Sequence, residues 1–274
     1  MKQGQSKQPI ILPNQTGASG RGLSTGYFGL SSHPLHILLF LLPIIIVYEI
    51  GSTGLIGSGI ESRLEAQDML VRFFDLLGVL GLHLPAIALV VVLFLQHIMT
   101  KESWRVVPMV LLAMIAESAF LTGPLIILVI ILQPVIPAMM IQASTEQAVV
   151  MDATSNEFLQ GIFLSFGAGL YEEMLFRLVL ITALHFVVTD VLSFKDKTGK
   201  IIAVILSAIA FAWLHNGVYI PGSGLNVRLA MFYTLAGVYF GILFLSRGLG
   251  IAVGVHLMYD LLALVVMPGI QDPS

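Results

Sequence analysis

Three short stretches in the second half of the chain carry the side chains that could do chemistry. They are GLYEEMLFR, FAWLH and HLMYD, which occupy residues 169–177, 211–215 and 256–260. Carboxylate and imidazole groups can deprotonate a water molecule, and imidazole groups can donate hydrogen bonds to the oxyanion of a tetrahedral intermediate. Together the three stretches supply the groups that hydrolysis of a peptide bond requires.

The first stretch contains two glutamates that differ in their ability to form an ion pair with Arg177. Glu173 precedes Arg177 by four residues, so on a helix the two lie on one face in the better orientation for an ion pair. Glu172 is displaced from Glu173 by about 100° around the helix and cannot share the arginine equally. Glu172 is therefore the carboxylate left free to act as a base, while Glu173 and Arg177 can offset each other.

Two further apolar segments each present an imidazole. His256 and Asp260 are four residues apart and share a helical face, and His215 follows Phe211 by four. With a rise of about 1.5 Å per residue, these groups and Glu172 lie at comparable depths from the nearest charged loops. We therefore expect the three faces to meet in one layer.

The elements that position these groups are apolar enough to lie in a membrane. Apolar residues form 57% of the 274-residue chain and charged residues 11%. In a typical soluble domain, about a quarter of all residues are charged. The sequence predicts an all-α fold, a polytopic integral membrane helical bundle of about seven transmembrane helices, in a range of about six to eight. The predicted spans are residues 35–56, 78–98, 106–133, 158–189, 201–219, 229–246 and 250–268.

Outside these spans the chain is more polar. Residues 1–30 predict a flexible cytoplasmic tail, and residues 31–274 form the membrane domain, whose motif-bearing core covers about 158–264. Residues 134–157 are compatible with either a re-entrant or an interfacial segment. The short tail and the absence of an ER retrieval signal favour a prokaryotic plasma membrane.

The basic residues predict the orientation, because cytoplasmic loops are enriched in lysine and arginine. If the N-terminus is cytoplasmic, the loops on the opposite side of the membrane contain only three of the basic residues, Arg63, Arg72 and Arg228. The cytoplasmic side then receives Lys2, Lys7, Arg21, Lys101, Arg105, Lys195, Lys197, Lys200 and Arg247.

The charge balance and the absence of cysteine narrow the possible functions. The formal net charge is -3, and no lysine or arginine block is present, so nucleic acid is excluded as a partner. Disulfides, thiolate metal sites and cysteine nucleophiles are excluded because the chain contains no cysteine.

The three stretches resemble the motifs of a known family. EEMLFR resembles E-E-x-x-x-R, FAWLH resembles F-x-x-x-H, and HLMYD resembles H-x-x-x-[N/D], in the order found in the CAAX-protease and bacteriocin-processing family of intramembrane endopeptidases. The resemblance implies a peptidase that acts on a membrane-associated or lipidated protein or peptide within the bilayer. It also implies that Glu172 is the essential glutamate and that His215 and His256 are the essential histidines.

Within this resemblance we assign each group a role. Glu172 and His215 hold and activate water, His256 with Asp260 stabilises the oxyanion, and Glu173 with Arg177 fixes the helix and tunes the field. Asp260 is the open point, because an ionised aspartate can only accept a hydrogen bond whereas asparagine can donate one. Asp260 is either protonated, or orients His256, or serves a metal.

A zinc-dependent form of the same reaction is the alternative. Its ligands would be Glu172, His215, His256 and Asp260, with a metal-bound water as the nucleophile. The chain contains no H-E-x-x-H motif to decide between the two. We favour the glutamate-based mechanism, which requires no cofactor.

Two other classes of function also fit intramembrane charges. One is a proton-coupled transporter, although such proteins usually have two related halves and the motifs here lie in one half. The other is a non-catalytic membrane scaffold. Glu49 and Glu117, each alone in a predicted span, are compatible with structural or functional roles, and His185 is interpreted as an interfacial histidine.

Overall fold

The protein is a bundle of apolar helices with one two-stranded hairpin. A computed structural model describes residues 26–53, 64–76, 78, 81–132, 156–222 and 224–266. The first six helices are α1 (Tyr27–Leu30), α2 (Pro34–Ser52), α3 (Glu65–Leu76), α4 (Leu84–Thr100), α5 (Pro108–Leu121) and α6 (Gly123–Leu132).

Four helices lie in the described residues of the second half of the chain. Helix α7 is continuous through Asn156–Glu173, Met174–Ile181, Thr182–Phe186 and Val187–Val191, of which the second and fourth parts are π-helical. It is followed by α8 (Asp196–Trp213), the antiparallel strands β1 (Tyr219–Ile220) and β2 (Gly224–Leu225), and α9 (Val227–Arg247). Helix α10 comprises Leu249–Leu261 and a π-helical end, Leu262–Val266.

Each of the seven predicted spans overlaps at least one of these helices. Among the described residues, four helical segments are long and apolar enough to cross a membrane, and they are Pro34–Ser52, Pro108–Leu132, Phe158–Val191 and Val227–Arg247. Two further apolar helices are shorter, Leu84–Thr100 and Leu249–Val265. The predicted all-α polytopic membrane bundle is confirmed.

Other sequence predictions concern the segments outside the predicted spans. Nearly all of residues 134–157 lie outside the described residues, as do residues 1–25 of the predicted tail. Within the segment predicted as a tail, Tyr27–Leu30 form α1. Helix α3 was not among the predicted spans, because its acidic and basic residues interrupt the apolar pattern.

The helix ends follow local sequence chemistry. Helices α2, α4 and α5 all have proline in the first turn, where its missing N–H costs no hydrogen bond. The side chain of Asn226 caps α9 by accepting a hydrogen bond from the backbone N–H of Leu229 at 3.2 Å. Gly248 separates α9 from α10 with a φ of 85°, a left-handed conformation that glycine adopts without steric cost.

Two close helix contacts bring the motif-bearing segments together. Helix α7 packs on α10, and α8 packs on α9 and on the first π-helical part of α7. At Gly169 a Cβ atom would lie 3.0 Å from the backbone nitrogen of Leu257 on α10, and at Gly237 it would lie 2.9 Å from the Cα atom of Ala208 on α8. Glycine at these positions permits the close backbone approach typical of membrane helices.

The π-helical part of α7 begins directly after Glu173. A π turn widens the helix and changes the direction of its carbonyl groups, and such turns are frequent at functional sites. The carbonyl of Phe176 in this part accepts a hydrogen bond from the Ser207 hydroxyl of α8 at 2.8 Å. This bond ties α8 to α7 one turn beyond the two glutamates.

Substitution of Gly169 tests the close approach of α7 and α10. Gly169→Ala is expected to destabilise the protein by about 1 to 3 kcal/mol, because the added methyl group must move α7 away from the α10 backbone. Gly123→Ala is the matched control, since a Cβ atom there meets nothing within 4 Å. Thermal unfolding of both variants in detergent measures the effect, and an unchanged midpoint for Gly169→Ala would contradict the contact.

Candidate active site

The three motif faces converge in a recess between α7, α10 and the end of α8. The Glu172 Oε2 atom lies 3.6 Å from His215 Nε2 and 3.8 Å from His256 Nε2. The same nitrogen of His256 lies 3.4 Å from Asp260 Oδ2. The structure thus brings together the four residues that the sequence analysis assigns to water activation and oxyanion binding.

The members of this group differ in exposure. The side chains of Glu172, His215 and Asp260 retain 16%, 20% and 15% of their accessible surface, whereas Glu173 and Arg177 retain 0% and 1%. Part of each of the first three side chains is therefore open to solvent. The other two lie behind them.

His215 has a defined tautomer. Its Nδ1 atom lies 2.7 Å from the backbone carbonyl oxygen of Phe211, and a carbonyl can only accept, so Nδ1 carries a proton. In the neutral ring the lone pair is then on Nε2, the nitrogen that faces Glu172. The F-x-x-x-H spacing therefore fixes which nitrogen of His215 faces the recess.

His256 is held from its other side by Glu173. The His256 Nδ1 atom lies 2.8 Å from Glu173 Oε1, and both side chains are buried. The Phe240 ring is stacked on the imidazole, with ring centres 4.6 Å apart and an interplanar angle of 18°. These contacts fix the imidazole plane and direct Nε2 toward Glu172 and Asp260.

The predicted ion pair of Glu173 with Arg177 is present, but it is not self-contained. Arg177 Nη1 lies 3.1 Å from Glu173 Oε1, the same oxygen that contacts His256. The separation of the two atoms is that of an ion pair, but the geometry does not meet the criteria for a hydrogen bond. The guanidinium also lies over the rings of Phe211 and Phe240, 4.4 and 5.0 Å from their centres, which are favourable cation–π distances.

A second polar cluster supports α7 on the opposite side. The Tyr171 hydroxyl and His83 Nδ1 both contact the Glu49 carboxylate, and the Tyr48 hydroxyl donates to Gln67 Oε1. Tyr171 directly precedes Glu172, so the bond to Glu49 on α2 restrains the rotation of α7 at the recess. Glu49 thus links α2 to α7.

The remaining intramembrane charges are also paired. Glu117 binds Arg247 through two contacts, Nε–Oε1 at 2.6 Å and Nη2–Oε2 at 2.8 Å, and also accepts from the Tyr27 hydroxyl. His185 Nε2 lies 3.0 Å from Asp196 Oδ1. Neither group lies in the recess.

The donor atoms of the recess do not form a metal site. Among the described parts of the chain, no group of three or more histidine, aspartate and glutamate side chains is arranged to hold a metal ion. Glu172, His215, His256 and Asp260, the ligands named for the zinc-dependent alternative, are not among such groups. The metalloprotease interpretation gains no support from this geometry.

Sequence reasoning missed several aromatic residues that shape the recess. The Tyr233 ring lies 3.9 Å from the His215 ring, centre to centre, and Tyr259 lies on α10 between His256 and Asp260. The spacing of Tyr259, three residues after His256, was the available signal. Tyr233 and Phe240 lie on α9, which carries no motif, and only the packing reveals them.

Comparisons with known proteins agree with the motifs. Residues 154–262 match the family model described as type II CAAX prenyl endopeptidase Rce1-like. The matched segment contains all three motifs, so the predicted resemblance is confirmed. No curated protein and no solved structure matches the chain.

Removal of the Glu173 charge is expected to destabilise the fold more than removal of the Glu172 charge. Glu173→Gln leaves Arg177 buried without its counter-charge, a change that typically costs about 3 to 5 kcal/mol. Glu172→Gln is the matched control, since the Glu172 side chain is partly exposed and no arginine of the described residues lies within ion-pair distance of it. Thermal unfolding in detergent compares the two, and equal midpoints would show that Glu173 and Arg177 do not depend on each other.

Proposed function

From the membership of residues 154–262 in the type II CAAX prenyl endopeptidase Rce1-like family, we propose that the protein is an intramembrane endopeptidase that uses a water activated by Glu172. The family supports the general conclusion of a CAAX-type membrane protease whose substrate is a membrane-associated peptide or lipidated protein. The mechanism and the residue roles below are our proposal.

One observation carries the proposed mechanism. The Glu172 Oε2 atom is buried, has no hydrogen-bond partner among the described residues, and faces the Nε2 atoms of His215 and His256. The two separations, 3.6 and 3.8 Å, exceed a direct hydrogen bond. A water molecule beside these three atoms can bond to Glu172 and to His215 together.

Glu172 is the general base. It takes a proton from the water as the water oxygen attacks the carbonyl carbon of the scissile peptide. Nε2 of His215 accepts the second O–H of the same water, because its lone pair faces the recess. The two acceptors together direct the attacking lone pair of the water.

His256 stabilises the charge that develops on the substrate. As the water adds, the carbonyl electron pair moves to oxygen, and an imidazolium at His256 donates to this oxyanion from Nε2. Glu173 accepts from Nδ1 and holds the ring in that orientation. Asp260 contacts Nε2 and orients the ring within the recess.

Collapse of the intermediate completes the reaction. The C–N bond breaks as Glu172 returns its proton to the leaving amine, and the carboxylate is restored. One water is consumed, and no group of the protein is changed. Arg177 holds the negative charge of Glu173 in place throughout.

The sequence supports further parts of the proposal. The lysine and arginine distribution supports a cytoplasmic N-terminus. The protease domain covers residues 31–274 in this proposal, with residues 1–30 as a tail.

The first test is removal of the proposed base. Glu172→Gln is expected to lower kcat by about 10²- to 10⁴-fold, because the amide cannot accept the water proton. The assay uses purified full-length protein in detergent with a farnesylated peptide ending in a CAAX sequence, and with the same peptide lacking the lipid. Product release is followed by mass spectrometry.

Glu102→Gln is the matched control for this assay. The Glu102 carboxylate contacts His33 at 3.2 Å and lies outside the recess, so its variant should cleave at the wild-type rate. Both variants should keep the wild-type unfolding midpoint to within a few degrees. Full activity of Glu172→Gln would show that another group activates the water.

The dependence on metal separates the two hydrolytic mechanisms. With a glutamate-activated water, prolonged chelation should leave kcat unchanged, and added zinc should not increase it. Metal analysis of the same sample should find far less than one zinc per chain. Loss of activity on chelation that zinc restores would instead establish the zinc-dependent alternative.

A further inference from the structure

The Tyr259 hydroxyl is a buried polar group that the mechanism above does not use. It is inaccessible to solvent and has no hydrogen-bond partner among the described residues. A buried hydroxyl without a partner costs about 1 to 3 kcal/mol, and such groups in native proteins call for an explanation. One explanation is that a ligand accepts this hydrogen bond during turnover.

The position of Tyr259 places it beside the reacting groups. It follows His256 by three residues and precedes Asp260 on α10, and residues at i, i+3 and i+4 share one helical face. The Tyr233 ring on α9 lies against the His215 ring, 3.9 Å centre to centre. The two phenol side chains therefore lie on α9 and α10, the helices that flank His215 and carry His256.

Packing holds Tyr259 in this position. Its ring lies 6.2 Å from that of Phe232, centre to centre, and both side chains pack with Tyr233 and Val129. Tyr233 in turn lies against the His215 ring. The Tyr259 hydroxyl is thus held on a rigid aromatic support, as a preorganised donor requires.

The motif residues of the recess supply only one hydrogen-bond donor to the oxyanion, Nε2 of His256. The H-x-x-x-[N/D] motif allows asparagine at position 260, whose amide could donate to an oxyanion, but this chain has aspartate there. An ionised Asp260 can only accept, and it lies 3.4 Å from His256 Nε2, the nitrogen that must donate to the oxyanion. A neutral hydroxyl nearby supplies a donor that Asp260 cannot.

We propose that Tyr259 is a further catalytic residue, whose hydroxyl donates a hydrogen bond to the oxyanion alongside Nε2 of His256. This inference rests on the proposed hydrolytic function. The bond forms fully only when the carbonyl electron pair has moved to oxygen, so it stabilises the transition state more than the bound substrate. No proton is transferred, and the phenol remains neutral.

The test is Tyr259→Phe in the full-length protein, assayed on the farnesylated CAAX peptide. This variant keeps the ring and removes only the hydroxyl. Loss of one oxyanion donor is expected to lower kcat by about 10²- to 10³-fold while KM changes little. The unfolding midpoint should stay the same or rise, because the hydroxyl that is removed has no partner in the folded protein.

Tyr239→Phe is the matched control. The Tyr239 hydroxyl donates to the backbone carbonyl of Leu121 at 2.6 Å, so its loss should lower the unfolding midpoint and leave kcat unchanged. The two variants thus have opposite expected effects on activity and stability. A purely structural role of Tyr259 would give it the behaviour of Tyr239.

Three results would overturn the inference. They are a wild-type kcat for Tyr259→Phe, a loss confined to KM, and a loss of kcat accompanied by a fall in the unfolding midpoint like that of Tyr239→Phe. In each case an inactive Glu172→Gln leaves the hydrolytic function standing. If the wild-type protein cleaves neither peptide, the proposed function fails and the role of Tyr259 fails with it.

Discussion

A single buried carboxylate oxygen, Oε1 of Glu173, connects the parts of the recess. It contacts the guanidinium of Arg177 and the imidazole of His256 at once, so the charge of one helix fixes a ring on another. Charges buried this deeply are tolerated only when each is paired. The arginine, glutamate and histidine are therefore interdependent, and a change at any one alters the orientation of the ring that faces Glu172.

This electrostatic arrangement depends on very close helix packing. In a bilayer no hydrophobic force drives one apolar helix onto another, so contact area and small residues must hold them together. Gly169 lets α7 approach the backbone of α10 one turn before Glu172, and Gly237 does the same for α8 and α9. The ion pairs then act over distances that the backbone contacts have already set.

The sequence predicts the helices and the groups of the recess well, because apolar length and helical spacing are local properties. It predicts the pairing of Glu173 with Arg177 for the same reason. It does not reveal that Glu173 also binds His256, since spacing gives the face of each helix but not the rotation of its neighbour. Helix α3 lies outside the predicted spans because its charged residues interrupt the apolar run, and the sequence distinguishes Tyr259 only by its position three residues after His256.

The stacking of Phe240 on His256 has a consequence for the energetics of turnover. In the proposed reaction, an imidazole held between a flat ring and a buried carboxylate keeps its orientation as charge develops on the substrate. In bulk water the solvent dipoles would have to reorient around the growing charge, and that reorientation is a large part of the barrier. Here the folding free energy has already oriented the dipoles, so the protein meets the new charge with little reorganisation.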